Sequence, residues 1–254
     1  MTSLYDVPRL YDLMCPMLAE GDAELTWWRG ACGEGAVVLE LGAGTGRVAI
    51  PLARGGLDVT ALDRSAAMIG HGQARAAEAG VTLTWAEADM TAFELPRRFD
   101  AIVIALNTLL HLHTRVEHEA LFAAVRRHLA PGGRLALSVL SPDPRTLSRP
   151  PSHWLELSDG LIDDPEGGRF AVQESIDYDH ATQRTRGWFR FHYPGRDEAV
   201  VVPVDLRMIY PAELEALVHH HGFEIVERHG DWDGAPFTSA SLVQNLIVQP
   251  RAGR

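Results

Sequence analysis

The segment Val37-Val38-Leu39-Glu40-Leu41-Gly42-Ala43-Gly44-Thr45-Gly46 constrains this chain more than any other stretch, because an apolar run leads straight into a glycine-rich turn and then a helical pattern. An apolar run without polar alternation suits a parallel strand covered on both faces. Glycines at the turn let backbone approach a ligand where a Cβ would collide. Strand, glycine turn and helix in that order make a cradle for a nucleotide-sized molecule.

The spacing narrows the choice. A dinucleotide fingerprint needs G-x-G-x-x-G, and its sixth position is Arg47, so the pattern is G-x-G-x-G. No lysine follows the turn, which excludes a P-loop. Asp63 stands about 20 residues after the first glycine, at the end of the run Leu57-Asp58-Val59-Thr60-Ala61-Leu62. Two readings of Asp63 stay open there: a ribose-binding carboxylate at the end of the second strand, or a cap for the next helix shared with Ser65.

With 254 residues, 46% of them hydrophobic, the chain is long enough for one large α/β domain with an elaboration. Its net charge of −11 and pI near 5.5 oppose the basic footprint of a nucleic-acid binder. Cys15 and Cys32 alone give no disulfide framework, so a reducing cytoplasm is the expected compartment. No secretory signal is visible at the start, and the longest uncharged apolar run, 101–112, is too short to span a bilayer.

Residues 7–32 read as helical, with Leu10, Leu13, Met14, Met17 and Leu18 on one face. From 36 to 139 short apolar runs alternate with helical stretches near 45–54, 65–79 and 115–128, which predicts βαβ units in a parallel sheet. Pro131-Gly132-Gly133 is expected to turn into a fifth strand over 135–140. Between 141 and 209 the pattern changes to prolines and period-two alternation, predicting antiparallel strands near 170–178, 184–193 and 197–208. A helix opening at Pro211 and strands near 223–229 and 242–248 follow.

Several of these segments, taken in order, resemble the class I S-adenosylmethionine-dependent methyltransferases. Glu40-Leu41-Gly42-Ala43-Gly44-Thr45-Gly46 is similar to their first motif, and Val59-Thr60-Ala61-Leu62-Asp63-Arg64-Ser65 with Met68 to their second. Glu87-Ala88-Asp89-Met90, Phe99-Asp100-Ala101-Ile102-Val103-Ile104 and Leu129-Ala130-Pro131-Gly132-Gly133-Arg134-Leu135 resemble the segments expected next. The likeness covers roughly residues 35 to 140 and is closest to the small-molecule branch that includes sugar-amine N-methyltransferases and glycine N-methyltransferase-like enzymes.

The resemblance implies a Rossmann-like α/β fold: a seven-stranded, mostly parallel sheet with helices on both faces and a small antiparallel β cap after the fifth strand. It implies a single domain over 1–254, with 1–34 as a helical cover and 141–210 as a cap on the acceptor. It further implies that S-adenosyl-L-methionine is the cofactor, held by Glu40, Gly42, Ala43, Gly44 and Gly46 at the turn and by Asp63, Arg64 and Met68 after the second strand. Asp89 and Met90 would meet the adenine, Asn107 would stand on the cofactor side past strand four, and Tyr11, with Tyr5, would cover the carboxylate end of the cofactor. Packing of an amphipathic helix accounts equally well for the two tyrosines. Arg47 pairs either with that carboxylate or with a surface acid.

Methyl transfer needs alignment, exclusion of water and removal of one proton. His111, in Asn107-Thr108-Leu109-Leu110-His111-Leu112-His113, is the candidate catalytic base, on the expectation that a histidine there titrates near neutral pH; a histidine that packs a helix or faces solvent is an equal alternative. In the cap, Arg186, Trp188, Arg190 and His192 share one face and Phe189, Phe191 and Tyr193 the other; the second set is the expected core, leaving two arginines for an acidic or phosphorylated acceptor. His219-His220-His221 point about 100° apart on a helix and cannot converge on a metal ion, so no metal is expected. A charged helix end capped by Gly222 is the alternative. The reading is a cytoplasmic methyltransferase for an N or O atom of a small-molecule acceptor, with no nucleic-acid or membrane partner and a homodimer left open. A different transferase on the same fold, or a non-catalytic cofactor-binding module, is the alternative.

Overall fold

The computed structural model describes residues 3–18 and 21–251, the side chain of Leu18 excepted. A 3-10 turn, Leu4–Asp6, leads into α1 (Pro8–Leu18) and α2 (Gly21–Cys32). The helical segment expected over 7–32 is therefore two helices. Gly21 has φ +58°, a left-handed value foreign to a helix interior; Ala19 and Glu20 lie outside the described residues.

The chain then alternates: β1 (Val37–Leu41), α3 (Ala49–Arg54), β2 (Asp58–Asp63), α4 (Ala66–Glu78), β3 (Thr84–Glu87), β4 (Phe99–Ile104), α5 (Arg115–His128) and β5 (Leu129–Leu140). α6 (Pro144–Leu147) opens the insertion, which carries β6 (Leu155–Glu156), β7 (Ile162–Asp164), β8 (Gly168–Asp179), β9 (Arg184–His192) and β10 (Val200–Arg207). α7 (Pro211–His220), β11 (Phe223–His229) and β12 (Val243–Pro250) complete the fold.

Seven strands form one sheet in the order β3-β2-β1-β4-β5-β12-β11; β12 runs antiparallel to both neighbours, and the pairings from β3 to β5 are parallel. The order reverses at β1 and β4, and open α/β sheets bind ligands at the carboxyl ends of the strands at such a switch point. The glycine turn leaves β1 there.

The uniformly apolar strands are explained by their two faces. Leu39 and Leu41 of β1 and Ile102 and Ile104 of β4 join Leu121, Phe122 and Val125 of α5, while Val38, Ala101 and Val103 point the other way onto Trp27, Trp28 and Ala31 of α2. Each fully buried large side chain contributes about 1.5–3 kcal/mol.

Two local expectations are corrected. The helix expected from 45 begins only at Ala49, because Gly44 and Gly46 hold φ values of +56° and +78° in the turn. Strand five begins at Leu129 rather than 135; Pro131-Gly132-Gly133 lie within it as an irregularity, where pairing with β4 shifts register between Phe99 and Ala101.

The second sheet is antiparallel, in the order β10-β9-β8-β6, with β7 on β8. Its inner face buries Phe170, Val172, Phe189, Phe191, Tyr193 and Val202 against Leu4, Leu10 and Met14 of the amino-terminal segment. The opening helix therefore packs on the cap. It is also fastened at two points in its first half: Arg9 pairs with Asp164, which also accepts the Tyr193 hydroxyl at 2.7 Å, and Asp12 takes Thr45 Oγ1 at 2.5 Å, His71 at 3.0 Å and Arg75 at 3.1 Å. Asp12 thus ties α1 to the glycine turn and to α4.

Candidate active site

A cavity of about 250 Å³ opens at the carboxyl ends of β1, β2 and β4, under the cap and α1. Gly42 and Gly44 line it, with Leu62, Asp63, Arg64, Met68, Asp89 and Met90. Gly42 has φ +67°, and a Cβ there would sit 2.4 Å from Thr108 Cγ2, so the turn closes on the loop after β4 only with glycine.

Asp63 organises the turn. Its Oδ2 accepts the Gly44 N–H at 2.7 Å and its Oδ1 the Ser65 N–H at 2.8 Å, while Ser65 Oγ caps α4 by accepting from Met68 N at 3.3 Å. Capping is therefore the work of Ser65, and Asp63 holds two loops together. A carboxylate offers about four acceptor sites, so two remain for ligand hydroxyls. Asp89 accepts the Thr91 N–H at 2.7 Å and Oγ1 at 2.6 Å, bonds that hold its carboxyl below the usual range.

Ten of the thirteen residues expected at the site line the cavity: Tyr11, Asn107 and His111 stand there with Gly42, Gly44, Asp63, Arg64, Met68, Asp89 and Met90. Glu40, Ala43 and Gly46 stand behind the lining. Ala43 packs beneath the sheet, and a Cβ on Gly46 would lie 2.9 Å from Ile50 and Trp85. Glu40 is buried, with one oxygen unpartnered, and burial pushes its carboxyl up to about 8.

Leu106 and Asn107 follow β4 with φ +42° and +65°, two consecutive left-handed residues without glycine. Such strain persists where neighbours over-determine it. Here Asn107 Oδ1 accepts the Leu140 N–H at 2.7 Å and its own N–H reaches Ser138 O at 3.2 Å. The turn Thr108–His111 that follows presents His111 to the cavity.

His111 does not titrate near neutrality. Burial, reinforced by the positive charge of Arg64, lowers it to about 4, so the ring is neutral at pH 7. Its Nε2 lies 2.8 Å from the Tyr5 hydroxyl, itself pushed far above the usual tyrosine range by burial. With both groups neutral, a single proton lies on the line between them.

The two candidate partners of Arg47 resolve to a third. It makes a two-pronged pair with Glu24 of α2 at 2.7 and 2.8 Å, and Glu24 is 1% exposed, an internal acid rather than a surface one. In the cap the core face is the expected one, but the cavity lies on that same side: Phe189, Val204, Leu206 and Glu174 line it, whereas Arg186 is exposed and Arg190 binds Gln173 and stacks over Trp154. The expected arginines therefore do not face the acceptor. At the end of α7, burial lowers the His221 pKa and its ring stacks on Phe122 at 4.6 Å, while His219 and His220 stand in the last turn.

Two lining carboxylates escaped the sequence reading. Glu117 completes a capping box with Thr114, visible as Thr-x-x-Glu but silent about the cavity. Glu174 follows Phe170 and Val172 on the inward face of β8, and a carboxylate at an inward position of a period-two strand was the available signal. Among the described residues no group of three or more His, Cys, Asp or Glu side chains is placed to hold a metal ion, and no helix is long and apolar enough to cross a membrane.

The lining fits S-adenosylmethionine: glycine backbone at the strand end, an acceptor carboxylate in Asp63, and an apolar slot of Leu62, Met68 and Met90. Comparison with known proteins agrees. The methyltransferase domain family matches residues 38–133. The chain is 30% identical to the cypemycin N-terminal methyltransferase of a Streptomyces species over 97% of this chain and 98% of that one. It superposes on the CcbJ methyltransferase of Streptomyces caelestis with a TM-score of 0.77 and 25% identity, covering 91% and 90% of the two chains. The S-adenosylmethionine-bound amino pentose methyltransferase CalS10 of Micromonospora echinaspora shares the fold, with a TM-score of 0.71, 21% identity, and 95% and 97% covered. A near full-length relative, the matched domain and the glycine turn in register with Asp63 together place this chain in the class I S-adenosylmethionine-dependent methyltransferases.

Proposed function

We propose that this methyltransferase acts on an amine nitrogen of a small-molecule acceptor, within one domain in which 1–34 covers the cofactor and 141–210 caps the acceptor. One observation carries the choice of nitrogen. Beyond the residues assigned to the cofactor, the lining holds the carboxylates of Glu117 and Glu174, the latter 3.4 Å from Arg149 outside the lining, and Arg64, near Asp63, is the only arginine among the described lining residues. Such a lining favours a cationic acceptor over a neutral or acidic one.

In this reading Asp63 receives the ribose hydroxyls, Asp89 and Met90 the adenine, and Tyr11, Gly42, Gly44 and Asn107 the methionyl end. When bound, the cofactor would supply an electrophilic methyl carbon. The acceptor ammonium first passes one proton to Glu174, whose carboxyl is held above its usual range by burial. The freed nitrogen lone pair then forms the N–C bond as the S–C electron pair returns to sulfur, so that the product leaves as a methylammonium. The residues align the nitrogen and exclude water. Tyr5 and the neutral His111 orient it by hydrogen bonding, and Glu174 holds its charge as it approaches.

A peptide amino terminus is a second form of the same acceptor, supported by the near full-length likeness to an enzyme named for N-terminal methylation. Incubation with labelled S-adenosylmethionine and matched amines, alcohols and short peptides, free or acetylated at the amino end, tests the reading by mass spectrometry. The chain contains no lysine, so its own side chains add no ε-amine background. N-methylation of amines alone is the expected result; methylation confined to the alcohols overturns it.

A further inference from the structure

We infer that the acceptor is an amine carried on an apolar body, with its ammonium seated on Glu174, rather than an amine on a polyhydroxylated ring. This rests on the amine reading above and narrows it. The acceptor side of the cavity is walled by Leu112, Leu140, Phe189, Val204 and Leu206. These come from four separate elements, so the apolar character belongs to the whole enclosure.

Most of the polar groups beside them already hold bonds within the chain. Tyr5 and His111 share one proton, Asn107 Oδ1 takes the Leu140 N–H, and Glu117 Oε2 takes His113 N, Thr114 N and Thr114 Oγ1 at 2.7–3.0 Å. A ring bearing several hydroxyls would bury most of them against methyl groups and aromatic edges with fewer partners than it needs, which is unfavourable. An alkyl or aryl body meets the same walls favourably.

Glu174 is the exception in the wall. It sits opposite Phe189 in the cap sheet, on the face that buries Phe170 and Val172. Its one ion-pair partner among the described residues, Arg149, is 3.4 Å away, longer than a well-formed N–H···O bond. The carboxylate is thus held inward without being tied down. The apolar wall also continues outward, since Leu140 is 40% exposed and the neighbouring Leu242, whose carbonyl accepts the Ser141 N–H, is 69% exposed. The body of the acceptor extends along that rim.

The test is calorimetric titration of the full chain, preloaded with S-adenosylhomocysteine, with hexylamine, phenethylamine, glucosamine and phenethyl alcohol. Phenethylamine and hexylamine should bind at least ten-fold more tightly than glucosamine. Glu174→Gln should lose about ten-fold of the phenethylamine affinity while leaving that for S-adenosylhomocysteine unchanged, which also reports that the variant is folded. Phe189→Asn should narrow the gap between phenethylamine and glucosamine. Apolar amines binding no better than glucosamine, or no binding by any amine, overturns the inference. Phenethyl alcohol outcompeting phenethylamine would instead defeat the amine reading on which it rests.

Discussion

The Tyr5 hydroxyl lies 2.8 Å from Nε2 of His111, joining the amino-terminal 3-10 turn to the loop after β4 across the cavity. The contact removes His111 from solvent and makes it a neutral partner instead of a titrating base. Tyr5→Phe and His111→Ala should each lower kcat about ten- to hundred-fold, the scale of a misaligned reacting atom, with little change in cofactor affinity. The wild-type kcat/KM profile should show no histidine step near pH 6.5, because His111 takes up its proton only near pH 4. Steady-state kinetics from pH 5 to 9 check this; a step near 6.5 that disappears in His111→Ala would refute it.

Asp63 bridges Gly44 and Ser65 through separate oxygens, so it shapes the turn even before a ligand arrives. Asp63→Asn keeps the size but loses the charge and turns one of the two bridging acceptors into a donor, so one arm of the bridge is lost as well. Hydrogen bonds to a charged group are worth about 1.5–3 kcal/mol, so S-adenosylmethionine should bind roughly ten- to hundred-fold more weakly, with kcat at saturation much less affected. Equilibrium titration and saturating kinetics separate the two effects. Unchanged affinity would leave Asp63 a purely structural bridge.

How much of this was legible in the sequence depends on range. The turn Gly42 to Gly46, Asp63 and Asp89 are each fixed by a strand end a few residues away, so their positions followed from local pattern. Period two correctly sorted Phe189, Phe191 and Tyr193 from Arg186 and Arg190, yet alternation defines two faces without saying which one looks at the cavity. The pKa of His111 was misread because its burial depends on Tyr5 and on the cap, segments about a hundred residues away on either side. Glu24 as the partner of Arg47 was invisible for the same reason, since helix α2 meets the turn only through tertiary packing.

The Glu24–Arg47 pair carries a stability prediction. Glu24 is buried and the Arg47 side chain only 15% exposed, and Glu24 also accepts the Trp28 indole N–H at 3.1 Å. Glu24→Ala would strand a buried guanidinium, costing about 3–5 kcal/mol. Glu24→Leu combined with Arg47→Met should recover most of that loss by replacing the ions with packed side chains. Urea unfolding measures each change. If the double variant still binds S-adenosylmethionine normally, Arg47 acts through the fold; loss of binding in a stable double variant would assign it to the cofactor carboxylate after all.

Opposed pH slopes of stability follow from His111 and Glu40. His111 falls from its usual 6.5 to about 4, so between those values the unfolded chain binds a proton that the folded chain refuses. Stability therefore drops as pH is lowered through that window, by about 3 kcal/mol. His118, also lowered to about 4 by burial, adds to the same limb. Glu40, raised from 4.5 to about 8, behaves oppositely: the folded chain keeps a proton that the unfolded chain releases, and that contribution is complete below pH 4.5 and is lost as pH climbs toward 8. Unfolding between pH 4.5 and 8.5 should accordingly show a maximum between the two limbs. His111→Gln should make the acid limb shallower without removing it, since His118 remains, and Glu40→Gln should flatten the alkaline limb. Slopes identical to wild type in both variants would mean that neither group is held in the protonation state its burial dictates.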